Sequence, residues 1–181
     1  AGNMPAALTK GLLRAGPWKA DDIWASDPID AQVRRLKRLH KIEVTRDNRA
    51  LVRQSQTVIL AVKPQVMASV LDEIRAEANP RKLFISIAAG FPLRRLETGL
   101  GGQARVVRVM PNTPVLVGRG ISVAVAGSKA TPPDLKHTLK LFKAVGEAVS
   151  ITGEDQLDGV TALSGSGPAF VYLFAEGLIE G

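Results

Sequence analysis

Cysteine is absent from the 181-residue sequence. That rules out a disulfide framework, a thiolate metal site and a cysteine nucleophile. Histidine is almost as scarce: His40 and His137 are the only 2, far apart, with no HExxH-like spacing. No metal site is expected. Aromatic residues make up only 4%, and none alternates with basic residues as a base-stacking surface requires. No uninterrupted apolar run approaches the roughly 20 residues that span a bilayer. The opening AGNMPAALTKGLLRAG lacks the basic leader and long apolar stretch of a signal peptide. These absences lead us to expect a cytoplasmic protein with no metal, no membrane and no nucleic acid among its partners.

What is present is ordinary for a globular chain: 45% hydrophobic and 23% charged residues, a composition that excludes disorder. The net charge is +7 and the isoelectric point about 10.1. Such a balance suits an acidic partner, a phosphorylated small molecule included, or simply a basic surface.

Strands and helices alternate along most of the chain. A helix is expected over 5–15, with Pro5 in its first turn and Gly16 as its cap. DIWAS (22–26) reads as a short buried strand, and a helix runs from Pro28 or Asp30 to about His40. A second strand is expected at 42–44. TVILAV (57–62) has the continuous β-branched apolar pattern of a central parallel strand. After Pro64 a helix presents Val66, Val70 and Ile74 as its stripe, with Met67 and Leu71 beside it. LFISI (83–87), RVVRVM (105–110), 121–126 and 148–151 read as further strands, with helices near 92–99 and after Thr131. Arg108 should leave its strand less buried. In the last of these helices Leu135, Leu139 and Phe142 share a face. The pattern predicts an α/β fold: a doubly wound, mainly parallel sheet with helices on both faces. A boundary is expected at Gly153-Glu154-Asp155, since only helical patterns follow. The helix from Gly167 is apolar almost all round, which implies cover from more chain or from a partner. Both ends are expected to be incomplete.

Candidate binding segments fall at strand ends, where ligands of open α/β sheets bind. Gly2-Asn3-Met4-Pro5 stands where a dinucleotide-binding loop would meet a helix N-terminus, or is simply a helix start. Ser26-Asp27-Pro28 follows a strand at the position that discriminates the adenosine ribose. Asp27 favours a free 2′-OH, whereas Ser26 with Arg34 or Arg35 favours a 2′-phosphate; a capping turn before a solvated basic face is the plainer alternative. Ala61-Val62-Lys63-Pro64 is held extended by its proline and can lie flat against a ligand, with Lys63 a surface residue rather than a base. Ile87-Ala88-Ala89-Gly90 permits close approach or serves tight packing. Asn112 and Thr113 sit in a proline-stiffened turn that equally suits a purely structural role. Ser164-Gly165-Ser166-Gly167-Pro168 offers an N-cap at Ser166.

Taken together, AGNM (1–4), SDP (26–28), AVKP (61–64), SIAAG (86–90), RVMPNTP (108–114) and ALSGSGPAFVY (162–172) resemble pyrroline-5-carboxylate reductase in order and spacing. The resemblance covers essentially the whole chain. It implies a Rossmann-like dinucleotide-binding domain over 1–153, its first strand missing, and the start of an all-α dimerisation domain over 154–181. It also implies NAD(P)H-dependent reduction of the substrate 1-pyrroline-5-carboxylate to L-proline, the last step of proline biosynthesis, in a homodimer or larger homo-oligomer joined through the C-terminal helices. NADPH is the preferred cofactor, with NADH possible. By the resemblance, Gly2, Asn3 and Met4 line the pyrophosphate. Ser26 and Asp27 flank the adenosine ribose, and Asn48 matches a cofactor-contacting position. Ala61, Val62, Lys63, Pro64, Ile87, Ala88 and Ala89 line the ribose and nicotinamide, while Asn112 and Thr113 stand near the reaction crevice.

Pro5 departs from the family's small residue, and the first glycine of the fingerprint is missing. The substrate-gripping turn is expected beyond residue 181, so no catalytic residue is assigned and the chain alone is expected to be inactive. Rival readings are a ketopantoate or β-hydroxyacid type of NADP-dependent reductase, a non-catalytic nucleotide-binding fragment, and a nucleic-acid binder acting through residues 34–41.

Overall fold

The computed structural model describes residues 2–181; Ala1, which begins the AGNM segment, lies outside the described residues. Helix α1 (Asn3–Ala15) comes first and ends at Gly16. Strand β1 (Trp24–Ser26), helix α2 (Asp30–His40) and strand β2 (Glu43–Thr45) follow. Next come α3 (Asn48–Gln54), β3 (Thr57–Leu60), α4 (Pro64–Ile74), β4 (Leu83–Ser86), α5 (Leu93–Gly99) and β5 (Arg105–Pro111). A 3-10 turn (Thr113–Val117) leads to β6 (Gly120–Ala126), α6 (Pro132–Lys143) and β7 (Gly146–Ser150). The C-terminal part holds α7 (Gln156–Val160), a π-helical turn (Thr161–Gly165) and α8 (Gly167–Glu180).

The strands form two sheets rather than one. Strands β1 and β2 pair in parallel by themselves, while β3-β4-β5-β6-β7 make a five-stranded sheet. The larger sheet is parallel except that β5 and β6 run antiparallel. The reversal follows from the link between them: the 3-10 turn over Thr113–Val117 is far shorter than a crossover helix, so the chain must turn back. The fold is thus α/β, as expected, but in place of the single sheet expected the described strands form two.

Apolar side chains fill both faces of the larger sheet. One layer joins Leu60, Phe84 and Val106 to Met67, Leu71 and Ile74 of α4, Leu96 of α5 and Leu157 of α7. The other joins Ile85, Val107, Val109 and Ala124 to Leu8 and Leu12 of α1 and Leu141 and Phe142 of α6. Close packing sets some residue types. A Cβ on Gly11 of α1 would sit 2.3 Å from Val145 Cγ1 and 2.8 Å from Ala144 O, so only glycine lets α1 lie this near the α6–β7 link.

Several local expectations are corrected. DIWAS forms a strand that is not buried; Trp24 is 38% exposed, because β1 belongs to the small sheet. TVILAV gives an edge strand of the larger sheet, alternating in burial, rather than a central one. The buried stripe of α4 is Met67, Leu71 and Ile74, with Val66 outward, a rotation of one residue from the expected face. In α6 the fully buried positions are Asp134, Thr138, Leu141 and Phe142, with Leu135 and Leu139 at the margin. Helix α3 had no sequence signal beyond its cap: the Asp47 carboxylate accepts from the Ala50 N–H at 2.9 Å. The span Gln156–Glu180 is one helical run of 25 residues, long and apolar enough by length and composition to cross a membrane. Asp158, Glu176 and its glycines and serines keep each apolar run within it short of a full span, which is why the sequence alone did not suggest it.

Candidate functional site

The carboxyl ends of β3, β4 and β5 lie at one edge of the sheet, because Leu60 pairs with Ser86 and Ser86 with Arg108. Segments 61–64, 87–90 and 112–113 therefore leave from that edge together. The Ile87 N–H donates to Leu60 O at 3.1 Å, carrying the pairing one residue past the strands. Lys63 is extended (φ −63°, ψ 146°) before Pro64, as the proline dictates, and is exposed. Ala61, Val62 and Ile87 are half-buried, Ala88 is buried, and Ala89 and Gly90 are exposed.

Gly2 is the N-cap of α1, and no side chain caps this helix. The first helical bond runs from Ala6 N–H to Gly2 O, so helix geometry gives the N–H groups of Asn3 and Met4 no intrahelical acceptor. Pro5 fills a position whose N–H would be unpaired in any helix, so the departure costs the helix nothing. Asn3 is exposed. Met4 packs against the same apolar layer as Ile59 and Ile87, the layer that α1 covers with Leu8 and Leu12.

Ser26 closes β1, and its Oγ is buried with no hydrogen-bond partner among the described residues. A buried hydroxyl without a partner is costly unless something else supplies one. Asp27 accepts the Ile29 N–H at 2.8 Å, the turn that opens α2. Arg34 pairs with Asp30 along α2, while Arg35 is exposed. Asn48 is turned toward α4, where its Nδ2 donates to Glu73 Oε2 at 2.8 Å. Asn112 is buried and uses Oδ1 to accept the Ile121 N–H at 2.9 Å, so this part of it braces the β5–β6 link. Thr113 beside it is exposed.

The sequence pattern missed how the C-terminal segment reaches this edge. The π-helical turn is closed by the Ser166 N–H on Thr161 O at 2.8 Å, while the Thr161 and Ser164 hydroxyls donate to carbonyls four residues back. Such turns recur at functional sites. A Cβ on Gly165 would lie 3.3 Å from Met110 Cε, so the SGSGP segment rests against the end of β5. Arg108 is only 6% exposed and pairs with Glu154 at 2.6 Å. The expectation that Arg108 leaves its strand open is corrected: a paired guanidinium is buried where an unpaired one would not be.

Comparison with known proteins adds the following. A family model described as NADP oxidoreductase, coenzyme F420-dependent, matches residues 1–90, and one described as pyrroline-5-carboxylate reductase dimerisation matches residues 154–181. A pyrroline-5-carboxylate reductase of Methanosarcina acetivorans is 45% identical over 181 residues, covering 100% of this chain and 67% of that protein. The structure of a pyrroline-5-carboxylate reductase from Coxiella burnetii superposes with a TM-score of 0.92 at 31% identity, covering 99% of this chain and 66% of that one. The Plasmodium falciparum pyrroline carboxylate reductase with NADP bound gives a TM-score of 0.87 at 34% identity, covering 99% of this chain and 65% of that one. The chain thus spans about two thirds of the length of the relatives it matches, 65–67% in these three cases.

Proposed function

The chain belongs to the pyrroline-5-carboxylate reductase family, and on that premise we propose that it serves the NAD(P)H-dependent reduction of 1-pyrroline-5-carboxylate to L-proline. Residues 1–153 form the dinucleotide-binding part, and 154–181 begin the helical part through which two copies join. The observation that carries this reading is the meeting, at one sheet edge, of the small-residue ends of β3 and β4 and the turn that rests against Met110; the N-terminus of α1, without a side-chain cap among the described residues, adds to it.

The residues present fit a nicotinamide dinucleotide. The N–H groups of Asn3 and Met4, with the α1 dipole, would hold the pyrophosphate. The unpartnered Ser26 hydroxyl would donate to a 2′-phosphate, which favours NADPH over NADH. Segments 61–64 and 87–89 would flank the ribose and nicotinamide. Asn112 and Thr113 would stand at the rim of the crevice. Asn48, engaged with Glu73, would act by fixing the α3–α4 contact beside the adenine side. When bound, a reduced nicotinamide would supply the hydride for the imine carbon of an N-protonated substrate, so that the ring nitrogen keeps its proton in the amine product. This chain's part is to hold the two rings at attack distance and keep water from between them.

The test uses the full reading frame that contains this sequence and follows NADPH absorbance with pyrroline-5-carboxylate present, alongside a fluorescence titration of NADPH and NADH. Substrate-dependent oxidation is expected; NADPH binding without it would leave only a nucleotide-binding role. Ser26→Ala should weaken NADPH roughly ten- to a hundredfold, the worth of a hydrogen bond to a charged group, and leave NADH unchanged. Equal loss for both cofactors would remove Ser26 from the 2′-phosphate.

A further inference from the structure

The Arg108–Glu154 pair does something the fold itself does not need. Its net contribution to stability is expected to be small, because desolvating two charges cancels most of their attraction. A leucine or methionine at Arg108 would suit the surrounding layer of Val106, Met110 and Leu157. Yet Glu154 Oε1 is shared: it accepts from Arg108 Nη1 at 2.6 Å and from the Leu93 N–H, the first residue of α5, at 2.8 Å. One carboxylate oxygen thus ties three segments together: β5, the start of α5, and the stretch where the C-terminal helices begin.

The geometry then continues along β5. Residues two apart in a strand face the same way, so Arg108 and Met110 lie on one face. Glu154 grips the first, and Gly165 rests against the second. Between these two contacts Leu157 is fully buried in the same layer. The span from 154 to 165 is therefore fastened to the sheet at both ends and in the middle. Of the three points only Glu154 is directional: a charge-assisted hydrogen bond fixes an angle, whereas apolar contacts tolerate sliding.

We propose that Glu154 is a positioning residue that sets where the π-helical turn Thr161–Gly165 sits over the end of β5. It thereby fixes the wall of the crevice opposite the cofactor segments. The inference deepens the reductase reading and rests on it for the meaning of the crevice, but not for the placement.

Because the chain has no cysteine, spin labels can be placed at will. Labels at Val117 and Leu163, both more than three-quarters exposed, report the distance from the β5–β6 link to the turn. In the unmodified protein a single narrow distance is expected. Glu154→Ala and Arg108→Met should broaden it, while Arg105→Met, which breaks the other partly buried ion pair of β5 (with Asp134 at 2.5 Å), should lower stability and leave the distance narrow. Should either variant fail to fold, Glu154→Gln carries the test, since it keeps an acceptor for the Leu93 N–H and removes only the charge; broadening is again expected. A narrow, unchanged distance in a folded Glu154 variant would overturn the proposal. Absence of turnover in the full reading frame would instead strike the reductase reading, because the distances are measured without substrate.

Discussion

Strand β4 and helix α8 are both apolar, yet they meet opposite fates. Leu83, Phe84, Ile85 and Ser86 are all buried. In α8, Phe170, Val171, Tyr172, Leu173, Phe174, Leu178 and Ile179 are all exposed. Hydrophobicity alone does not decide burial; a neighbour within reach does. β4 has strands on both sides and helices on both faces. Among the described residues α8 has little beside it except its π-turn. Contiguous apolar surface of this kind marks an interaction site, which suits the proposed joining of two copies.

The sharpest way to break the comparison is a matched truncation. Phe84→Ala should cost about 3–5 kcal/mol, as for any large buried aromatic, whereas Phe174→Ala should leave the stability of the monomer nearly unchanged; urea unfolding at low protein concentration reads both. If α8 is covered by a second copy, Phe170→Glu should abolish the larger species in analytical ultracentrifugation while circular dichroism stays constant. Retention of that species would place the contact elsewhere.

Smaller effects sharpen the other side. Gly11→Ala should destabilise by about 1–3 kcal/mol through overpacking, although alanine is the better helix former. The thermal midpoint would tell, since a rise would mean that α1 can move off Val145. Lys82 donates to Val52 O at 2.6 Å and Ser55 O at 2.7 Å, closing the end of α3. Lys82→Met should cost about 1–3 kcal/mol by leaving these carbonyls short of a donor.

The smallest effect is titration. Burial lowers the His137 pKa, Lys140 adds to this and Asp134 opposes it; burial lowers His40 too, with help from Lys10. Both are held below 6.5, their ordinary value. The unfolded chain therefore binds more protons as the pH drops, so their contribution is complete above pH 6.5 and is lost as the pH falls toward the folded-state values. His137→Gln should flatten part of that decline in denaturation midpoints measured across the range.

The elements of the sheet were legible because strand and helix periodicities are local. β4, β5, β6 and α4 stand close to where their apolar runs predict. The start of α1, Ser26 and the strand-end segments were legible as motifs at topologically favoured places. Arg108 was misjudged for the opposite reason: a lone charge in an apolar run reads as exposure unless its partner, 46 residues away, is known. The resemblance sets Asn48 by the cofactor and Asn112 near the crevice; only the structure shows that Asn48 bonds Glu73 and that Asn112 accepts the Ile121 N–H.

By itself, then, the sequence determined most of the strands and helices, though not α3, together with where glycine and proline punctuate them and which loops gather small and polar residues. Those are consequences of backbone sterics and of apolar spacing within a few residues. Only the tertiary structure decided that β6 runs against β5, that the strands divide into two sheets, and that the Ser26 Oγ is buried with no partner among the described residues. It also decided that Glu154 holds the C-terminal helices to β5. Each of these depends on which distant groups meet, and a partner's distance in space is not encoded in the spacing of neighbours along the chain.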